Sequence, residues 1–333
     1  MEPFGIGVVG IGDISRVYLN NLKNYPDIVR VVAVADANAQ RAQDAAATHG
    51  IPGIYASAEE LAADPAVDIV LCLTPPAGHA PVLLTALAAG KHGYTEKTLA
   101  TTVSAGREVI ETAQRSGLVV GCAPDTVLGG RVQIIRELID AGRIGRITGG
   151  VATSLLPGLE WFHNSPAFYY GADVGPLMDV GPYYLSTLVT LLGPVRRVCG
   201  MSSRAHETRQ ATVGPMRGKL IQVESDTNVS ALLEFDDSVQ VTLMISFDVW
   251  DSSVPRLELF GTEGTVSMLD PDPLDGPNLF GGPVTLRTRE EARYVGFPRL
   301  KNPPAAQDIP VNRRYSEVIH GVNSRGIGLV ELA

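Results

Sequence analysis

A short apolar run, Ile6-Gly7-Val8-Val9, breaks at Gly10-Ile11-Gly12, and apolar residues resume at helical spacing with Ile14, Val17, Tyr18 and Leu22. Strand, glycine-rich turn and helix in that order commit a chain to a βαβ unit, and therefore to a parallel sheet. The pattern is G-x-G-x-x-S. Gly10 permits the tight turn, Gly12 lets a pyrophosphate approach the backbone at the helix N-terminus, and Ser15 is small enough for helix–strand packing. Asp36 closes the next strand in Ala33-Val34-Ala35-Asp36. A carboxylate there accepts hydrogen bonds from ribose hydroxyls and repels a 2′-phosphate. Ala37 and Asn38 offer no cation and Arg41 is the nearest, so NAD is expected over NADP. An ordinary βα turn with a solvated Asp36 would carry the same residues.

The following segments repeat the alternation. Ile28 to Ala35 is a continuous β-branched run of the kind buried on both faces. Ala39 to His49 reads as a helix closed by Gly50, and Ile69 to Leu73 as a strand. Pro81 to Ala89 is a helix ended by Gly90, Val103 to Ser116 a helix ended by Gly117, and Leu118 to Cys122 a strand. Beyond residue 122 the period changes. Arg131 to Ala141 is one more helix, and then Val229, Ala231, Leu233 and Phe235 alternate toward a turn at Asp236-Asp237-Ser238. Val239, Val241, Leu243, Ile245 and Phe247 return, which predicts a hairpin with one face buried. Arg256 to Gly261 and Thr265 to Leu269 predict a second hairpin, and the eight prolines of residues 271–310 predict loop and sheet edge. The expected fold is α/β: a doubly wound parallel sheet over residues 1–122, then an α+β domain over 123–333 with a mostly antiparallel sheet. Gly326 to Ala333 starts an apolar helix with Ile327, Val330 and Leu332, and the expectation is that the natural chain continues past it.

Composition narrows the function classes. Of 333 residues, 45% are hydrophobic and 19% charged, which excludes disorder. The net charge of −9 leaves no electrostatic footprint for nucleic acid or an anionic membrane. Cys72, Cys122 and Cys199 give neither a disulfide framework nor paired metal-ligand spacing, and no His/Asp/Glu/Cys cluster predicts a metal. With no signal-like N-terminus and no apolar run of the ~18 residues a span requires, a cytoplasmic protein is expected. No G-x-S-x-G elbow is present.

Four further stretches carry a family resemblance. Leu73-Thr74-Pro75-Pro76-Ala77-Gly78-His79 follows one parallel strand, and Glu96-Lys97-Thr98 follows the next. The stretch Gly171 to Gly193 reads GADVGPLMDVGPYYLSTLVTLLG, and Leu259-Phe260-Gly261-Thr262-Glu263-Gly264 lies in the second half. Together they resemble the glucose–fructose oxidoreductase / inositol dehydrogenase / rhizopine-catabolism (Gfo/Idh/MocA) family from about residue 4 to Gly328. The resemblance implies an NAD(P)-dependent oxidoreductase acting on a sugar, polyol or related carbohydrate, with an open C-terminal sheet that forms a homodimer or homotetramer interface. It implies that Gly10, Gly12, Asp13, Ile14, Asp36, Thr74, Pro75, His79, Glu96 and Lys97 lie along the cofactor. Glu96-Lys97 matches the family's Glu-Lys-Pro motif with Thr98 replacing proline, and Lys97 is expected beside the substrate hydroxyl. An ammonium desolvated near NAD⁺ suits proton transfer near neutrality. Asp179 and Tyr183 match the family's Asp-x-Gly-x-His/Tyr positions, with Asp179 orienting substrate and Tyr183 sharing the proton transfer. Pro182 marks the first turn of a new helix, and Tyr184 is expected in the core. Asp125, just after the last parallel strand, and the aromatic, polar Trp161 and His163 complete the candidate substrate contacts. Two alternatives remain at this level: transient oxidation that cleaves a glycoside, and a non-catalytic nucleotide-binding regulator.

Overall fold

The computed structural model describes residues 2–269, 283–289, 293–294, 300–302, 305–311 and 325–333. They form two compact units. The first runs to Leu128 and takes in the C-terminal residues 325–333, and the second begins at Gly129.

In the first unit, strands β1 (Phe4–Val9), β2 (Val29–Ala35), β3 (Gly53–Tyr55), β4 (Ile69–Cys72), β5 (His92–Thr95) and β6 (Val120–Cys122) pair in parallel in the order β3-β2-β1-β4-β5-β6. Helices α1 (Asp13–Leu22), α2 (Ala39–His49), α3 (Ala58–Ala62), α4 (His79–Ala88) and α5 (Val103–Ser116) connect them. The helix ends follow local chemistry. Asn38 and Thr102 accept first-turn amides of α2 and α5, while Gly50 and Gly117 close the same helices at φ 66° and 65°. Tyr18, Leu19 and Leu22 of α1 and the alanines of α2 bury one face of the sheet, and Leu61, Leu83, Ala86 and Val109 bury the other.

The sequence reading gave residues 123–333 wholly to the second domain; the contacts divide the chain differently. The last residues return to the first unit, where Leu329 and Val330 are 0% and 4% exposed beside Tyr18, Leu22 and Tyr94. Their apolar pattern announced a helix but not which sheet it would cover.

The second unit contains α6 (Gly130–Asp140), β7 (Ile147–Leu155), α7 (Gly175–Asp179), α8 (Gly181–Leu192), β8 (Arg197–Ser203), and the ribbon β9 (Thr208–Gln210) with β10 (Leu220–Gln222). The two predicted hairpins follow as β11 (Asn228–Glu234) with β12 (Gln240–Ser246), and β13 (Leu257–Gly261) with β14 (Gly264–Met268). Then come β15 (Val284–Thr288), the ribbon β16 (Arg293–Tyr294) with β17 (Leu300–Asn302), and β18 (Gln307–Ile309). The described parts of 271–310 thus lie at the margin of the main sheet, whose order is β18-β15-β14-β13-β7-β12-β11-β8, or in the small ribbon. Its pairs are antiparallel except β7 with β12. Val241, Leu243 and Ile245 point inward, whereas Met244 is 37% exposed on the opposite face with Leu232 and Phe260. The edge strand β8 is exposed throughout, Met201 to 81%. The final helix of the chain is α9 (Ile327–Leu332). Among the described residues, no helix is long and apolar enough to cross a membrane.

Candidate active site

The loops after β1, β2, β4 and β5 all leave the carboxyl edge of the parallel sheet, where the strand order switches direction between β1 and β4. Gly10 sits at φ 97°, and a Cβ there would lie 2.7 Å from the Thr74 amide nitrogen. The end of β1 and the loop after β4 therefore touch only because residue 10 lacks a side chain. Gly12 is the N-cap of α1 in extended conformation, with no side-chain cap and open space where its Cβ would stand. Uncapped first-turn amides beside open space fit the pyrophosphate of a dinucleotide. Asp13 and Ile14 open the helix, exposed and half-buried respectively, and Ser15 turns its hydroxyl onto the Gly12 carbonyl at 2.7 Å. Asp36 accepts the Ile11 amide at 2.6 Å and the Asn38 amide at 2.7 Å, so the acidic residue also braces the glycine loop.

After β4, Thr74 is half-buried and Pro75 exposed. His79, expected along the cofactor, is 1% exposed. Its Nε2 lies 2.8 Å from the Thr74 carbonyl oxygen and its Nδ1 2.5 Å from that of Thr98, so the ring ties two loops together. Lys97 is half-buried, and the Lys97–Thr98 peptide is cis.

Glu96 and Asp125 correct two expectations. Each is buried and engaged within the unit, so Glu96 does not face a cofactor and Asp125 does not face a substrate. Glu96 accepts the Tyr18 hydroxyl at 2.9 Å, Arg325 Nη1 at 2.8 Å and the Lys97 amide at 3.0 Å. Burial pushes its carboxyl up, but Arg325, Lys97 and these hydrogen bonds more than offset that and hold it below the ordinary value. Asp125, 4% exposed, accepts the Tyr94 hydroxyl and, at 2.5 Å, the Gly326 amide. Burial outweighs those donors and pushes its carboxyl up to about 6. The same burial raises the Tyr18 and Tyr94 hydroxyls, and it takes the Cys122 thiol to about 12.

In the second unit, Asp179 is half-buried at the end of α7, and Tyr183 is 5% exposed in the first turn of α8. Pro182 stands in that first turn, as expected. The kink at Val180 means that the two residues do not share one continuous helix. Tyr184 is core, its hydroxyl accepting from Arg256 at 3.3 Å. Trp161 is 45% exposed and meets Trp250 edge-on at a centroid distance of 5.1 Å. His163 accepts the Ser165 amide at 3.0 Å and lies 3.2 Å from the Tyr169 hydroxyl. The loop bearing these residues is anchored by Arg209. This arginine donates to Glu160 at 2.5 Å, to Asp248, and to the Pro157 and Phe247 carbonyls at 3.1 and 3.0 Å. Glu160 also accepts the Tyr170 hydroxyl.

Sequence reasoning missed Trp250, Arg209 and Arg325. Only Trp250 left a signal, as an aromatic residue just past the β12 alternation. Among the described residues, no group of three or more His, Cys, Asp or Glu could hold a metal ion.

Residues 4–123 match the oxidoreductase family with an NAD-binding Rossmann fold, and residues 132–267 match the GFO/IDH/MocA C-terminal domain. The chain is 30% identical to mouse trans-1,2-dihydrobenzene-1,2-diol dehydrogenase over 261 residues, which is 78% of this chain and 72% of that protein. It is 32% identical to dTDP-3,4-didehydro-2,6-dideoxy-alpha-D-glucose 3-reductase of Streptomyces violaceoruber over 233 residues, 69% of this chain and 66% of the reductase. The fold matches that of a levoglucosan dehydrogenase solved with NADH, with a TM-score of 0.73 at 18% identity over 92% of this chain and 80% of the other. Rossmann unit, C-terminal sheet and sequence matches agree: the chain belongs to the Gfo/Idh/MocA family of NAD(P)-dependent oxidoreductases.

Proposed function

We propose that the protein moves a hydride between a carbon bearing a secondary hydroxyl, in a sugar, polyol or glycoside, and the nicotinamide of NAD. The observation that carries this reading is the family match on both units together with a half-buried lysine, Lys97, directly after β5 at the carboxyl edge of the sheet. The cofactor, when bound, supplies the hydride chemistry. Gly10 and Gly12 shape the loop for the pyrophosphate, with Asp13 and Ile14 beside it, and Asp36 receives the adenosine ribose. Thr74 and Pro75 line the nicotinamide half. Lys97 and Tyr183 exchange the hydroxyl proton, Asp179 holds a neighbouring hydroxyl, and Trp161 with His163 contacts the substrate ring. NAD is preferred because the Asp36 carboxylate, fixed by two backbone amides, would repel a 2′-phosphate. The outer face of the main sheet, with Met201, Leu232, Met244 and Phe260 exposed, supports assembly into a homodimer or homotetramer.

A second reading is oxidation of a trans-dihydrodiol. The exposed Trp161–Trp250 pair favours it, and so does the similarity to dihydrodiol dehydrogenases. Screening free sugars, inositols, glycosides and dihydrodiols for NADH and NADPH formation in parallel separates the two. In Lys97→Met, turnover of the selected substrate is expected to fall by roughly 10²–10⁴-fold, with NADH binding retained. Undiminished turnover would remove Lys97 from the mechanism.

A further inference from the structure

The turn that carries Lys97 is gripped at both of its neighbours. On the far side, His79 reaches the Thr98 carbonyl from its buried place at the head of α4. On the near side, Glu96 meets the Tyr18 hydroxyl and Arg325, a residue 229 positions away in sequence. Arg325 is itself fixed. Asn21 Nδ2 donates to its carbonyl at 2.9 Å, and the next amide, that of Gly326, donates to Asp125. Nor can the segment after it shift easily. A Cβ on Gly328 would lie 2.2 Å from the Tyr94 hydroxyl oxygen and 2.6 Å from Asp125 Oδ1.

We propose that Arg325 is a positioning residue for Lys97: by pairing with the Glu96 carboxylate, it keeps that carboxylate from capturing the Lys97 ammonium. The inference rests on the reading of Lys97 as the proton-handling group. Glu96 is a buried anion with two cations acting on it, first Arg325 and then Lys97. Its Oε2 already takes the Lys97 amide, which brings the carboxylate to the base of the lysine side chain. A buried carboxylate stripped of its guanidinium must either protonate or find another cation, and the neighbouring ammonium is the nearest one in sequence. Lys97 would then be held protonated and turned toward Glu96, unavailable to accept a proton from a substrate hydroxyl. With Arg325 present, Glu96 is satisfied and the lysine is released to the site.

The test reads Lys97 directly. In the full-length protein saturated with NAD, the acylation of Lys97 by acetic anhydride is followed by mass spectrometry as a function of pH, with exposed Lys219 as internal reference. In Arg325→Ala, the Lys97 labelling profile is expected to move up by about one pH unit, a tenfold slower reaction at neutral pH, while Lys219 does not move. Millimolar guanidinium should return the profile toward wild type, and Arg325→Lys should fall between the two. A wild-type profile in a folded Arg325→Ala protein overturns the proposal. If that variant does not fold, the same profile is read in Arg325→Lys, where an unshifted curve overturns it equally. Turnover of Lys97→Met keeps the two inferences apart. If Lys97→Met remains active while Arg325→Ala shifts the profile, the catalytic reading fails and the pairing stands. If Lys97→Met is inactive and the profile does not shift, Arg325 has no positioning role.

Discussion

In the second unit Arg209 stands between two carboxylates, Glu160 and Asp248, and Asp248 also accepts Thr227 at 2.5 Å and Asn228 at 2.6 Å. In the first unit, Asp125 is buried as deeply, yet its hydrogen bonds among the described residues come from neutral donors, the Tyr94 hydroxyl and the Gly326 amide. Both arrangements anchor a distant segment. Arg209 secures the loop that carries Trp161 and His163, and Asp125 secures the seat of α9. They differ in how the buried charge is compensated. A guanidinium gives its carboxylates a counter-charge in a fixed fork, which makes the anchor insensitive to pH in the neutral range. Hydrogen bonds from neutral groups leave the desolvation of Asp125 partly uncompensated, and that anchor titrates near neutrality.

The largest expected effect lies in the second unit. Arg209→Met leaves Glu160 and Asp248 buried without their shared cation, and is expected to cost about 3–5 kcal/mol in urea unfolding at neutral pH. A loss below the usual scatter of surface substitutions would show that the carboxylates re-pair or hydrate easily, and the contrast would collapse.

Asp125→Asn sharpens it from the other side. The folded-state value of Asp125, about 6, lies above its ordinary 3.8, so protonation favours the fold. That stabilisation is complete below about pH 4 and is lost as pH rises through about 6. The stability of Asp125→Asn relative to wild type should therefore improve by roughly 3 kcal/mol between pH 4 and pH 7.5. Paired urea titrations at those two pH values measure it, and a difference that is flat or opposite in sign refutes the assignment. The smallest effect belongs to an ion pair with water on all sides. Arg196 and Asp236 meet at 2.6 Å but are each 56% exposed, and Asp236→Asn should leave the denaturation midpoint unchanged within error.

The sequence made local features legible and long-range ones invisible. Gly10 and Gly12, the glycine ends of α2 and α5, and the β11–β12 hairpin are each written within a few consecutive residues, so period and turn chemistry were sufficient. The strands β7 to β10 escaped because β7 contains Gly149 and Gly150 and β9 and β10 span three residues each, too little for an alternation to register. Lys97, Asp179 and Tyr183 could be singled out by motif. The buried state of Glu96 and Asp125 could not, because it depends on Arg325 and Gly326, more than two hundred positions away. An acidic residue reads identically in sequence whether it faces a ligand or a distant backbone amide.

The seat of α9 also sets an order in time. Glu96 and its partner Arg325 are separated by 229 residues, which a ribosome adding 5–20 residues per second takes roughly 10–45 s to cross. Throughout that interval the nascent Rossmann unit holds two apolar-lined carboxylates whose partners do not yet exist, and the slot for Leu329 and Val330 stands open. The first half of the protein to be made is thus among the last parts to be finished.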